Sequence, residues 1–553
     1  MINPRPRPCD EVAIRSTRGF TDCSAHQRQW VLVATILASA IANIDGSVVN
    51  VALPAIAKDL ATSVAIIQWV VNAYTLSLAA LVLAGGAAGD HFGRRRVFMI
   101  GIAVFAIASF GCALSYGVNQ LILARAVQGV GAALFIPCSL AIIGASFPEV
   151  ERGRAIGTWA GFSAIAAAIG PLLGGWIVDR FNWQAIFLIN PFLAAAVVWI
   201  AWQHVPESYD SEASSGIDWL GALLALAGLA CIAFGLIALS DTGLQNVSVV
   251  GSLAAGAIIL ALFVFHEGAS RTPMMPLRLF RSLSFSGINA MTFLLYGALS
   301  GAFFLLPFEL IQVHAYSATL TGAVFLPFTI IMGVFSRWSG GLLDRVGARL
   351  PLIVGPIVTA GGFALLAISS PTTSSGIDFL VAIAVVGFGM AVTVAPLTTT
   401  VINAVPGHET GVASGVNDAV ASVASLLAVA IFGAVVLGGL NRALDHQLRR
   451  PNLSAEFKQS LEAGRGKFVI EQSRIPALSQ GSSAQATIRE SLAEGIKLGM
   501  LLAAGLALIS AACAALTIRP NGSRVTTATE RSTSLQGKMA VEGPGGPLGS
   551  RST

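Results

Sequence analysis

Charge is scarce in this sequence. Only 11% of its 553 residues are Asp, Glu, Lys or Arg, against 55% that are hydrophobic. A soluble globular chain carries about 25% charge. So few charges cannot clothe so much apolar sequence in water, so the solvent implied is a lipid bilayer. Cysteine is also sparse. Six are scattered through the chain, four of them inside apolar runs (Cys112, Cys138, Cys231, Cys513), and none forms a CxxC pair. That spacing supports neither a disulfide framework nor a zinc site. There is no G-x-x-x-x-G-K-[ST] phosphate loop, which argues against ATP as the energy source. With no His/Cys metal constellation and no nucleophile elbow, nothing points to an enzyme or to a bound cofactor.

The net charge of +5 is open to two readings, nucleic-acid binding or membrane orientation. The basic residues sit beside apolar runs, which favours orientation by cytoplasmic Arg and Lys. Residues 1–28 are polar and Arg-rich and lack an apolar core with a small-residue cleavage site, so they read as a cytoplasmic tail.

A helix needs about 20 mostly apolar residues to cross a bilayer. Fourteen candidate runs begin near Trp30, Ile66, Val97, Asn119, Gly153, Trp183, Ile217, Val249, Leu283, Thr319, Leu350, Ile377, Gly411 and Glu494. An even number puts both termini on one side. The short loops on that side carry Arg94, Arg95, Arg96, Arg152, Arg154, Arg271, Arg278, Arg281, Arg345 and Arg349; the opposite short loops carry Lys58 and Arg180. The positive-inside rule then places both termini in the cytoplasm. The mixed-charge segment 440–490 falls outside, with short surface helices suggested by Leu444, Leu448, Phe457 and Leu461. Residues 519–553 are rich in Ser, Thr, Gly and Pro, a composition that predicts disorder.

One charged turn occurs twice. Gly86-Ala-Ala-Gly-Asp90-His-Phe-Gly93-Arg94-Arg95 follows run two, and Gly340-Gly-Leu-Leu-Asp344-Arg345-Val-Gly347-Ala-Arg349 follows run ten. Two copies at matching places imply an all-α membrane protein of two related six-helix bundles. The first spans 29–205 and the second 271–518, with runs seven and eight (206–270) as an inserted pair. Gly86 would let a neighbouring helix approach and Gly93 would permit a tight turn. Asp90 would cap or face the positive end of another helix. The turn resembles the major facilitator superfamily signature GxxxDxxGR[RK]. The resemblance implies the major facilitator fold and a cytoplasmic latch between bundles; a loop that only fixes topology is the plainer alternative.

An ionisable group inside a membrane run is costly, and marks a functional site by default. Run one holds Asp45-Gly-Ser47-Val-Val-Asn50-Val-Ala-Leu-Pro54. Asp45 lies nine residues before Pro54, which puts it ~14 Å below the outer end. The stretch resembles D-x-T-x-x-N-x-A-L-P of the fourteen-span drug:proton antiporters, with Ser47 keeping the hydroxyl of the usual Thr. Gln68-Trp69-Val-Val-Asn72-Ala-Tyr74 opens run two as in that subfamily; Trp69 reads as an interface anchor, Asn72 and Tyr74 as cavity-lining. Run four holds Arg125-Ala-Val-Gln128-Gly129-Val-Gly131, similar to the superfamily's R-x-x-Q-G-x-G proton-coupling motif. Arg125 sits ~9 Å from the outer face, a depth similar to that of Asp45. It either attracts Asp45 or snorkels to the interface.

Run five carries Gly157 and Gly161, then Gly170-Pro171-Leu-Leu-Gly174-Gly175, small residues that allow backbones to meet. It is similar to the antiporter signature G-x-x-x-G…G-P-x-x-G-G; a plain packing helix is the alternative. Gln184 stands where the subfamily usually has Arg. In run thirteen, Gly411-Val-Ala-Ser414-Gly415-Val-Asn417-Asp418 resembles a subfamily pattern. Asp418, ~15 Å from the cytoplasmic face, is a second protonation candidate or a hydrogen-bonded packing group. Glu309, near the outer end of run nine, is a third candidate or an exposed interfacial carboxylate. Arg337 and Asp344 read as structural.

The resemblance implies a secondary transporter driven by the proton gradient, exporting small amphipathic or cationic compounds by alternating access of two bundles. It also implies a bacterial inner membrane, where the 440–490 segment offers a docking place for a periplasmic adaptor. The rival readings are a carrier of one specific metabolite and, in another class, a membrane sensor or scaffold that transports nothing.

Overall fold

A computed structural model describes residues 25–209, 218–242, 245–270, 272–368, 376–405, 410–448 and 482–518. The tails 1–24 and 519–553, and residues 449–481 with Phe457 and Leu461, lie outside the described residues.

Among the described residues, the fourteen apolar runs fold as fourteen helices long and apolar enough to cross a membrane. They are α1 (Ala25–Asp59), α2 (Val64–Phe92), α3 (Arg94–Ala113), α4 (Val118–Ser146), α5 (Glu149–Arg180), α6 (Ala185–His204), α7 (Trp219–Thr242), α8 (Val247–Ala269), α9 (Leu283–Phe308), α10a (Ala318–Val324) with α10b (Leu326–Val346), α11 (Arg349–Ile368), α12 (Gly376–Asn403), α13 (Thr410–Leu448) and α14 (Ser482–Thr517). The chain is a multi-pass membrane protein. Within a bilayer every backbone group must be satisfied inside its own segment, which is why these runs are helices.

The helix ends differ from expectation in three places. Pro54 lies inside α1, which runs on to Asp59, so Asp45 sits fourteen residues from the end, ~21 Å deep. α13 extends to Leu448 and α14 begins at Ser482, so both ends of the segment 440–490 are helix; Leu444 and Leu448 belong to α13. Past α9, Glu309–Val313 forms a single π turn.

Helix pairing repeats between the halves. α1 packs on α5 and α6, α2 on α4, and α3 on α4 and α6; likewise α9 packs on α13 and α14, α10b on α12, and α11 on α12 and α14. The pairs that join the halves follow the same symmetry: α5 meets α10a and α10b, and α13 meets α2. α7 pairs with α8 and lies against both α2 and α13, across the seam.

The two ends of this assembly differ. We call the end that carries residues 25 and 518 the terminal end, and its opposite the distal end. The largest apolar core is continuous across the bundles, joining Val48, Leu53, Ile67 and Phe187 to Leu305, Phe308 and Val324. The terminal half of the first bundle has a core of its own around Phe98, Phe105, Phe135 and Val197. Among the described residues, the core that runs through both bundles draws on the distal part of the first one.

Candidate functional site

Asp45 is brought from α1, and Arg125 with Gln128 from α4. Packing explains how α4 comes so close. A methyl at Gly129 would overlap the Tyr74 carbonyl oxygen of α2, and one at Gly131 would lie 2.6 Å from the Phe105 nitrogen of α3. The two glycines of R-x-x-Q-G-x-G thus let α4 wedge between α2 and α3, and Arg125 reaches inward.

The guanidinium meets a carboxylate there. Arg125 Nη1 lies 2.5 Å from Asp45 Oδ2, with both side chains at most 1% exposed. Asp45 Oδ1 accepts from Gln128 Nε2 and from Asn190 Nδ2, each at 2.8 Å. Arg125 also donates to Gln128 Oε1 at 2.7 Å and to the Val70 carbonyl at 3.1 Å. Its guanidinium carbon sits 4.4 Å over the Tyr74 ring. Arg125 therefore does not snorkel. The carboxylate accepts three hydrogen bonds, the satisfaction a buried ion pair needs to persist.

Asn190 of α6 also donates to Ser109 Oγ at 2.9 Å, and Ser109 donates to the Phe187 carbonyl. The network so ties α1, α3, α4 and α6 together. Sequence reasoning missed Asn190 and Ser109 as partners. The Asn190-Pro191 step was visible, but a neutral polar residue in an apolar run carries no signal of what it bonds.

Asn50 stands apart from this cluster. Its Nδ2 donates to the Gly46 carbonyl of its own helix. Asn72 and Gln68 are fully buried in α2, and neither side-chain amide has a hydrogen-bond partner among the described residues. Asn417 bonds Asn289 and Thr292, holding α13 against α9. Next to it, Asp418 is exposed. Glu309 is 4% exposed, so it is no exposed interfacial carboxylate, and its Oε2 has no partner among the described residues.

The charged turn contacts its own bundle. Gly93 has φ +106°, and a methyl there would lie 2.9 Å from the Glu207 carboxyl. Asp90 accepts from Arg94 Nε and Nη2 at 2.8 and 2.7 Å, so among the described residues it pairs with a side chain of its own turn and not with another helix end. Arg95 N donates to Glu207 Oε1 at 2.9 Å, and Arg95 and Arg96 both lie within 4 Å of Glu207 Oε2. Glu207, beyond the end of α6, is the anchor that the sequence did not reveal. Gly86 meets Pro137 at ordinary distance; the tight approaches are at Gly85, where a methyl would overlap the Ala133 carbonyl oxygen, and at Gly89, where it would lie 2.5 Å from Cys138 Sγ. In the second turn, Gly347 has φ +73° and Arg349 Nη2 donates to the Ala515 carbonyl at 2.8 Å. The side chains of Arg337 and of residues 340–345, Gly340 and Asp344 among them, lie outside those described.

α5 divides into two regions. A methyl at Gly170 or Gly174 would strike Ser47 or Val48 of α1; at Gly175 it would overlap the Ala318 carbonyl of α10a; and the Pro171 carbonyl occupies the methyl position of Gly322. Gly157 and Gly161, expected to pack likewise, have nothing within 4 Å, and neither has Gly333 of α10b. Among the described residues, the α5–α10 pair is thus shut at the distal end and parted towards the terminal end.

The profile of the Major Facilitator Superfamily matches residues 35–429. The chain belongs to that superfamily. It is 34% identical over 420 residues to multidrug resistance protein Stp of Mycobacterium tuberculosis, covering 76% of this chain and 78% of that one. It is 29% identical over 498 residues to the tetracenomycin C resistance and export protein of Streptomyces glaucescens, covering 89% and 92%. Among solved structures, a bacterial homologue of the human lysosomal transporter Spinster, inward-facing and unoccupied, superposes with a TM-score of 0.62 at 16% identity, covering 90% of this chain and 98% of that one. The xylose transporter XylE of E. coli, inward open, gives 0.56 at 13%. The chain is therefore a transporter of the major facilitator fold and not an enzyme.

Proposed function

We propose that this protein exports small amphipathic or cationic compounds in exchange for protons. The observation that carries the reading is the buried Asp45–Arg125 pair with its Gln128 and Asn190 bonds. As an ion, Asp45 satisfies three donors. A proton on it removes one acceptor position and the attraction to Arg125, which loosens the tie between α1 and α4. Proton binding and release then alternate with substrate at the same bundle, the linkage that exchange requires. Asp418, exposed in the second bundle, is the complementary carboxylate for a cationic substrate. The names of the relatives, multidrug resistance and tetracenomycin C export, support export as the direction.

The Arg count places the terminal end in the cytoplasm, so a conformation parted at that end is inward-facing. The charged turn is then a latch in its released state, bonded only to residues of its own bundle among the described ones. A bacterial inner membrane completes the reading. A periplasmic adaptor docking on the α13–α14 connection belongs to it too: deleting residues 449–481 then lowers export from whole cells but not into vesicles.

The experiment is Asp45→Asn in everted vesicles. Proton-driven uptake of an exported dye disappears while the protein still inserts. Unchanged pH-driven uptake by a correctly inserted variant contradicts the site.

A further inference from the structure

Asp179 ends the same helix whose glycines shut the distal end. It lies one turn beyond Gly175, and its carboxylate reaches across to the other bundle. Oδ1 accepts from the Ala318 amide at 3.2 Å; Oδ2 accepts from the Thr319 amide at 2.7 Å and from Thr319 Oγ1 at 2.5 Å. Ala318 opens α10a, behind the N-cap Ser317, whose own hydroxyl is used by Leu320 N. The first amides of a helix have no acceptor within it. Here they find one on the opposite bundle.

We infer that Asp179 is the distal lock of the transport cycle, a positioning residue that holds α5 to α10a while the terminal end is open. Three features set this contact apart from ordinary packing. It joins the two bodies that must separate. It is charge-assisted, and so stronger than the neutral bonds around it. It sits on the close backbone seam at Gly175–Ala318 and Pro171–Gly322, so the carboxylate cannot keep its partners if that seam parts. Opening the distal end removes three acceptor contacts at once, and water takes them over. The charged turn at Asp90 and this contact then stand at opposite ends of the first bundle. In this conformation one is engaged across the bundles and the other, among the described residues, bonds within its own. The inference rests on alternating access of the fold and not on proton coupling.

The test is a pair of distances in the full-length protein in lipid nanodiscs. Spin labels at exposed Phe181 and Ile377 report the distal ends, and labels at exposed Phe92 and Val346 report the terminal ends. Asp179→Ala raises the distal-open population by roughly tenfold or more, the scale of losing one hydrogen bond to a charged group. The distal distance lengthens and the terminal distance shortens together. Asp179→Asn, which keeps an acceptor but not the charge, gives a smaller shift. Thr319→Val removes one donor from the opposite bundle and shifts the populations the same way; it decides the matter if Asp179→Ala does not fold. Folded variants with both distance distributions unchanged overturn the lock. Because the readout needs neither substrate nor a gradient, it stands or falls apart from the exchange reading.

Discussion

Asp45 illustrates what single residues disclose. A carboxylate and a guanidinium in membrane runs are rare enough that sequence alone selects them. Their meeting at 2.5 Å follows from the glycines of α4. What stayed illegible was the neutral part of the site. Asn190 and Ser109 are single polar residues in apolar runs, and such residues are common enough to carry no signal. Glu207 and Asp179 lie at helix ends, where charge is expected and draws no attention. Pro54 misled, because a proline that looked like a terminus lies inside α1. At this scale Arg125→Leu leaves Asp45 buried without a cation, so the protein is destabilised by about 3–5 kcal/mol; thermal melting in detergent checks it. Gly93→Ala is strained by its positive φ and by the Glu207 carboxyl, and costs about 1–3 kcal/mol. Its melting temperature falls while that of Gly86→Ala stays near wild type, since Gly86 meets only ordinary contact.

Helices are where the reading was most complete. All fourteen were visible as apolar runs because the bilayer imposes length and composition together. Only ends and interruptions escaped, such as the π turn at Glu309–Val313 and the extension of α13 to Leu448. The signature of α5 was visible too, but it reads as one stripe in sequence and as two regions in space. Gly174 and Gly175 are in contact, whereas Gly157 and Gly161 face open space. A conformation cannot be read from a repeat of small residues, because each half of the stripe is needed in a different state. The expected outcome is therefore asymmetric. Gly175→Val collides with the Ala318 carbonyl and biases the protein to the distal-open state. Gly161→Leu has room here and obstructs closure of the terminal end, which biases it the opposite way. Cysteine accessibility from each side of the membrane checks both, and equal shifts in one direction contradict the assignment.

For the whole molecule, two halves with repeated helix pairing share a core at the distal end, while α7 spans the seam between α2 and α13. The twin charged turns announced this symmetry. The open and shut ends they left unstated, because one sequence serves both conformations. Exchange of substrate for protons is the claim on which the account turns. It is tested most directly in acid-loaded proteoliposomes containing the purified protein, by following internal pH when an exported compound is added outside. The account predicts substrate-dependent proton efflux that is absent in Asp45→Asn. Substrate movement with no proton movement, or efflux unchanged in Asp45→Asn, contradicts it.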